Sequence, residues 1–200
     1  MTAKAGAKYL LVQYVTVARV PLAALAGILL YYGESGSGLA LAVVVLLGVC
    51  ELTDIIDGLL ARRLGMSSRF GSLFDPYCDS MSRLIIFFGL ASKGLCPMWL
   101  FLLMALRDIS VTYLRIMYIL AGASPAARLS GKAKAWAQGL GAILLAAFYA
   151  CADVRYAATD AVGFARWVPL AIVALIAAIT LWSLLDYADA ARRPKLNPPS

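Results

Sequence analysis

An all-α integral membrane protein with six transmembrane helices is the fold class this sequence predicts, and three observations carry it. Of its 200 residues, 62% are hydrophobic and only 14% are charged, whereas a soluble domain devotes roughly a quarter of its residues to charge. Apolar runs close to the ~20 residues that a helix needs to cross a bilayer can be drawn near 14–32, 38–56, 72–92, 97–120, 136–152 and 165–186. Lys and Arg fall in alternate connections between those runs, as the positive-inside bias requires of a multi-pass chain.

In chain order, residues 1–13 carry Lys4 and Lys8 ahead of the first run and are expected to lie along the membrane interface. The first run, 14–32, is a full span with no small-residue cleavage site after a short core, so it does not read as a signal peptide. The second, third and fourth runs contain charges, and the fifth begins just after Lys132 and Lys134. The sixth leads into a Pro-rich tail, RRPKLNPPS, and residues 190–200 are expected to be flexible. No internal repeat or low-complexity segment divides the chain, so residues 1–200 read as one domain.

Orientation follows from the cations. Lys4, Lys8, Arg62, Arg63, Arg69, Arg128, Lys132, Lys134, Arg192, Arg193 and Lys195 share one side of the predicted bundle, and Glu34, Lys93, Asp153, Arg155, Asp160 and Arg166 fall on the other. Both termini are therefore expected at the cytoplasmic face of the cell membrane. The net charge of +7 is spread over these connections and does not form a nucleic-acid patch. Beside a bilayer it suits anionic headgroups and phosphorylated substrates. Cys50, Cys78, Cys96 and Cys151 have no CxxC spacing and the chain has no His, which argues against a Cys/His zinc site. The cysteines read as small packing residues, and any general base must come from another residue type.

The stretch TDIIDGLLARRLGMSSRFGSLFDPYCDS holds Asp54, Asp57, Asp75 and Asp79. An ionised carboxylate at the centre of a spanning helix costs about 2.5–3.5 kcal/mol on insertion scales, so four of them call for compensation. Asp54 and Asp57 are three apart and Asp75 and Asp79 four apart, which places each pair on one face of its own helix. The polar MSSR connection between the two helices turns them back as antiparallel neighbours. Oxygen-only ligation by several carboxylates favours hard cations, Mg²⁺ or Mn²⁺, with charge enough for two. Gly58, Ala61 and Gly71 leave an opening beside the carboxylates, and Arg62 adds a guanidinium suited to bidentate phosphate contact. The competing explanation pairs the aspartates with Arg62, Arg63 and Arg69 for structure or proton relay.

The pattern Asp54-x2-Asp57-Gly58-x2-Ala61-Arg62-x8-Gly71-x3-Asp75-x3-Asp79 resembles, without a departure, the signature of the CDP-alcohol phosphotransferases. The resemblance implies a six-helix fold, usually a homodimer, with a two-metal site near the cytoplasmic surface. It implies an enzyme of phospholipid synthesis that displaces CMP from a CDP-linked lipid, such as CDP-diacylglycerol, by the hydroxyl of an acceptor alcohol. Carried over by position, Asp54, Asp57, Asp75 and Asp79 correspond to metal ligands, with Asp79 also the base for the acceptor hydroxyl. Asp54, Gly58, Ala61, Arg62 and Gly71 correspond to the nucleotide-binding positions.

The acceptor is addressed by other segments. VTVARVP, with Thr16 and Arg19, is similar to the family's first-helix pattern, with Gln13 where asparagine is commoner. Arg19 reads equally as a snorkelling side chain or as a group near substrate. Arg107-Asp108, Arg115, then Ser130-Gly131-Lys132-x-Lys134 and Gln138 resemble the bacterial phosphatidylglycerophosphate synthase subfamily, with Ala135 and Ser80 as departures from its usual threonine and lysine. An acceptor that already bears a phosphate needs cations beside the metals, and Arg107, Arg115, Lys132 and Lys134 are the candidates. Asp108, next to Arg107 in sequence, is expected to point elsewhere on the helix. Lys132 and Lys134 also fit a plain anchoring role against anionic lipid. Glycerol 3-phosphate is the expected acceptor, with inositol phosphate, inositol, serine or another alcohol as alternatives. An ion-coupled transporter is the rival of another class, and it calls for inverted repeats that the sequence lacks.

Overall fold

The computed structural model describes residues 3–33, 38–63, 71–120, 128–152 and 164–192; within them, the side chains of 3–13, 15, 54–63, 71–73, 151–152, 164–166 and 191–192 fall outside the description. The described residues form six helices and no strand: α1 (Ala3–Tyr32), α2 (Gly38–Arg63), α3 (Gly71–Ser92), α4 (Met98–Leu120), α5 (Leu129–Ala152) and α6 (Phe164–Arg192). Each predicted run corresponds to one helix. All the helices but α4 are longer than their runs, in part because charged ends, such as Leu-Ala-Arg-Arg closing α2, are good helix formers that hydropathy excludes. α1 is one 30-residue element, so the N-terminal segment has no helix of its own.

α3 is the central element, packing on α1, α4 and α5, while α6 closes the bundle against α4 and α5. Its crossing with α1 is close because glycine meets glycine: a Cβ on Gly89 would lie 3.3 Å from the Gly27 Cα and 3.2 Å from the Leu30 Cδ1. Small residues at such seams let helix backbones approach and gain dispersion contact. α3 ends in a left-handed residue, Gly94 at φ 71°. The Leu95 N–H donates to the Leu90 carbonyl and the Gly94 N–H to that of Ala91, each at 3.0 Å, which is a Schellman closure with buried Leu90 and Leu95 as its apolar contact. The turn carries the chain directly into α4.

The interior is stratified. At the Gly94 end lies an apolar core that includes Leu30, Leu47, Phe87, Leu90, Leu100, Met104, Leu145 and Ile176. There the Tyr149 hydroxyl donates to the Gly33 carbonyl at 3.0 Å, tying the C-terminal ends of α5 and α1 together. Towards the other end the buried residues become Arg19, Arg83, Arg107, Asp108, Lys134, Gln138, Thr180 and Ser183.

The outer faces reverse the usual partition. Val45, Leu52, Leu102, Leu106, Leu175 and Leu185 are each between 56% and 60% exposed. By length and composition, one helix among the described residues, Trp167–Ala190, is long and apolar enough to cross a membrane; Thr16–Tyr32 and Gly38–Thr53 are apolar but shorter. The charges of the polar layer interrupt the apolar sequences of α3, α4 and α5.

Candidate active site

α2 and α3 carry the aspartate pattern as the spacing predicts. α2 continues without a break to Arg63, so Asp54, Asp57, Gly58, Ala61 and Arg62 occupy its last turns, and Gly71 is the first residue of α3. The side chains of those six residues, like the whole of the MSSR connection, lie outside the described residues. Asp75 and Asp79 are described, half-buried, one turn apart on α3. Among the described residues no three potential ligands gather. The described half of the carboxylate set, two acids one turn apart on α3, offers the oxygen donors that a hard divalent cation takes, with the buried Cys78 thiol close to Asp75.

Asp79 is ion-paired with Arg19 of α1, a side chain only 5% exposed. Of the two readings open for Arg19, the snorkelling one is therefore excluded: the guanidinium turns inward, onto the carboxylate. One turn further along α3, buried Arg83 stands 3.7 Å from Glu51 of α2. Gly139 of α5 makes room for that carboxylate, since a Cβ there would lie 2.4 Å from Glu51 Oε2.

A cavity of about 190 Å³ opens beside Asp79. Arg107, Arg115, Lys132 and Lys134 all line it, together with Arg83 and Arg128. Six cationic side chains thus face two carboxylates, Asp79 and Asp108, an imbalance that a dianionic ligand would relieve.

The cations are held apart by specific partners. Lys134 Nζ donates to both oxygens of Asp108 at 2.8 Å, and Arg107 Nη1 donates to Asp108 Oδ1 at 3.0 Å. Asp108 therefore does not point away from Arg107: the neighbouring side chains converge in the interior, because a buried carboxylate between two cations costs less than any of the three alone. Arg107 Nη2 also donates to Ser183 Oγ at 2.6 Å, while its Nε has no hydrogen-bond partner among the described residues. Arg128 makes a two-pronged bond to Asp186, Nε to Oδ2 and Nη2 to Oδ1, each 2.6 Å, and Ser130 Oγ donates to the same carboxylate. Arg115 Nη2 donates to the Tyr187 hydroxyl at 3.3 Å. Lys132 is exposed at the cavity wall. Below the cavity, Gln138 Nε2 donates to Thr180 Oγ1 at 3.2 Å.

Sequence reasoning assigned no site residue to α6, yet Ser183, Asp186 and Tyr187 hold three arginines from the neighbouring segments. The signal was present: a polar i, i+3, i+4 face ending an otherwise apolar helix. Arg83, one turn beyond Asp79, was equally available by spacing, and Glu51 stands one turn before Asp54.

Comparison with known proteins bears on this arrangement. The family model described as CDP-alcohol phosphatidyltransferase matches residues 9–182. A probable phosphatidylglycerophosphate synthase of Mycobacterium tuberculosis (strain CDC 1551 / Oshkosh) is 32% identical over 131 residues, 65% of this chain and 62% of that protein. A CDP-diacylglycerol–glycerol-3-phosphate 3-phosphatidyltransferase of Bacillus subtilis (strain 168) is 34% identical over 98 residues, 49% of this chain and 51% of the relative. A protein of the same description from Shigella flexneri serotype 5b (strain 8401) is 30% identical over 154 residues, 74% of this chain and 78% of its own length. The matched stretch thus spans less than two thirds of the mycobacterial and Bacillus proteins.

Proposed function

This chain belongs to the CDP-alcohol phosphatidyltransferase family, and on that premise we propose that it transfers the phosphatidyl group of CDP-diacylglycerol to glycerol 3-phosphate, releasing CMP and forming phosphatidylglycerophosphate. The observation that carries the choice of acceptor is the cavity beside Asp79, where Arg83, Arg107, Arg115, Arg128, Lys132 and Lys134 converge. Its volume of about 190 Å³ suits a small phosphorylated polyol. The names of the three relatives support the same reading.

Asp54, Asp57, Asp75 and Asp79 would hold two divalent cations, Mg²⁺ or Mn²⁺. When bound, these neutralise the diphosphate and stabilise the departing CMP. The acceptor phosphate rests among the arginines and lysines, which directs its hydroxyl towards Asp79. Asp79 takes the hydroxyl proton as the oxygen attacks the phosphorus that bears the diacylglycerol; the bond from that phosphorus to the CMP oxygen breaks and CMP leaves with the electron pair. Arg19 fixes the Asp79 carboxylate from the α1 side. Gly58, Ala61 and Gly71 leave room for the cytidine end of the donor, and Arg62 and Asp54 contact it. No covalent intermediate on the protein is needed.

The exposed Leu, Val and Trp side chains around the helices favour a bilayer as the surrounding medium. In this reading all six helices cross it, with both termini and the aspartates at the cytoplasmic face, and the chain works as a homodimer. An acceptor panel with CDP-diacylglycerol tests the proposal. CMP release should be fastest with glycerol 3-phosphate, ahead of inositol phosphate, inositol and serine. Preference for an unphosphorylated alcohol would overturn the acceptor, and CMP release with none of them would overturn the chemistry.

A further inference from the structure

Tyr187 is 5% exposed on α6, lines the cavity, and has three guanidinium groups around its ring. The Cζ atoms of Arg107, Arg128 and Arg115 lie 5.3, 5.8 and 6.0 Å from the ring centroid. All three fall within about the 6 Å over which a ring face attracts a cation. They come from separate places, Arg107 and Arg115 from two levels of α4 and Arg128 from the approach to α5. One side chain on a third element therefore gathers them.

Three guanidinium groups sharing one ring repel one another, and each carries a second tether that fixes its direction. Arg107 is bonded to Ser183 and Asp108, Arg128 to Asp186, and Arg115 to the Tyr187 hydroxyl itself. The ring fits between the helices because the third residue of α5 is Gly131, where a Cβ would lie 3.2 Å from the Tyr187 Oη and 3.7 Å from Arg107 Nη2. Ser183, Asp186 and Tyr187 form one helical face that brings no cation of its own and orients those of its neighbours.

Building on the phosphate-acceptor reading given above, we infer that Tyr187 is the positioning residue of the acceptor-phosphate pocket. Its ring spaces Arg107, Arg115 and Arg128 so that they converge on one tetrahedral dianion, and its hydroxyl sets the direction of Arg115. Without the ring the arginines lose a shared support, and affinity for the phosphate falls. The donor site and the carboxylates of α2 and α3 do not depend on it.

The experiment uses the full-length protein in lipid nanodiscs, as wild type, Tyr187→Phe and Tyr187→Leu. Calorimetric titration with inorganic phosphate reads the pocket directly, and CMP release at saturating CDP-diacylglycerol, with glycerol 3-phosphate varied, reads it through KM. Phe keeps the ring and loses the hydroxyl, so phosphate affinity should fall about two- to fivefold, the lower part of what one net hydrogen bond contributes. Leu loses both, and the fall should be about tenfold or more. The KM for glycerol 3-phosphate should rise in the same order, with kcat and the KM for CDP-diacylglycerol within about twofold of wild type. Phosphate affinity unchanged in both variants overturns the inference, as does a fall in kcat with the acceptor KM unmoved. Should Tyr187→Leu aggregate, Tyr187→Phe decides alone, and its unaltered phosphate affinity is the overturning result. If wild type binds phosphate and the variants bind it weakly, yet glycerol 3-phosphate is not turned over, the positioning role stands and the acceptor assignment fails. A wild type that binds no phosphate overturns both.

Discussion

Lys134 of α5 holds both carboxylate oxygens of Asp108 of α4 at 2.8 Å, with each side chain only 3% exposed. Arg107 completes the cluster. Removing the acid leaves two cations in the interior, which costs about 3–5 kcal/mol for a broken buried pair. Asp108→Asn is therefore expected to lower the unfolding temperature in detergent markedly. Pairing it with Lys134→Met should recover part of the loss, since one of the stranded charges is gone. An unfolding temperature equal to wild type in Asp108→Asn would refute the structural weight given to the cluster.

The ion pair between Arg19 and Asp79 gives a second test. Asp79→Asn should reduce CMP release by about 10²- to 10⁴-fold, the usual contribution of a positioned general base. Arg19→Gln retains the base and loosens its orientation, so a smaller fall, of about tenfold, is expected. Steady-state CMP release measures both, and equal losses in the two variants would contradict this division of roles.

Chelation of divalent ions should abolish CMP release, and added Mg²⁺ or Mn²⁺ should restore it. In Asp57→Asn or Asp75→Asn the added ion should fail to restore turnover. A second readout is the unfolding temperature of the wild type, which should rise on adding the ion, because a ligand that binds only the folded state stabilises it. Full activity in a chelated sample would refute the metal assignment.

Gly89 tests the seam between α1 and α3. A Cβ there meets the Gly27 backbone at 3.3 and 3.5 Å, atoms that cannot rotate away. Gly89→Ala is expected to cost about 1–3 kcal/mol, as overpacking does. Larger side chains should also reduce CMP release, because the same two helices carry Arg19 and Asp79. Thermal unfolding and activity of an Ala, Val, Leu series would show it.

What the sequence made legible follows from where the information is local. Helix positions are written in apolar runs, and the aspartate pattern sits within two helices joined by a short connection, so spacing alone placed Asp75 and Asp79 on one face. The cavity was legible in part: Arg107, Arg115, Lys132 and Lys134 were named and all line it. Their partners were not, because contacts of Lys134 with Asp108, or of Arg128 with Asp186, span 26 and 58 residues. Long-range pairing of this kind depends on how the helices pack. Asp108 was misdirected by treating adjacent helix positions as divergent, a rule that fails when a long arginine side chain folds back towards a buried carboxylate.

The central place of α3 has a consequence for how such a protein can change. The aspartate pattern lies on α2 and α3, whereas the cations and their supports lie mostly on α4, α5 and α6. α3 is the wall common to both halves, with Asp79 reaching one way to Arg19 and lining the cavity on the other. On the proposed function, substitutions confined to the last three helices would alter the choice of acceptor and leave the aspartate pattern of α2 and α3 untouched. The bundle is in this sense modular: an acidic half and a cationic half, joined at one helix.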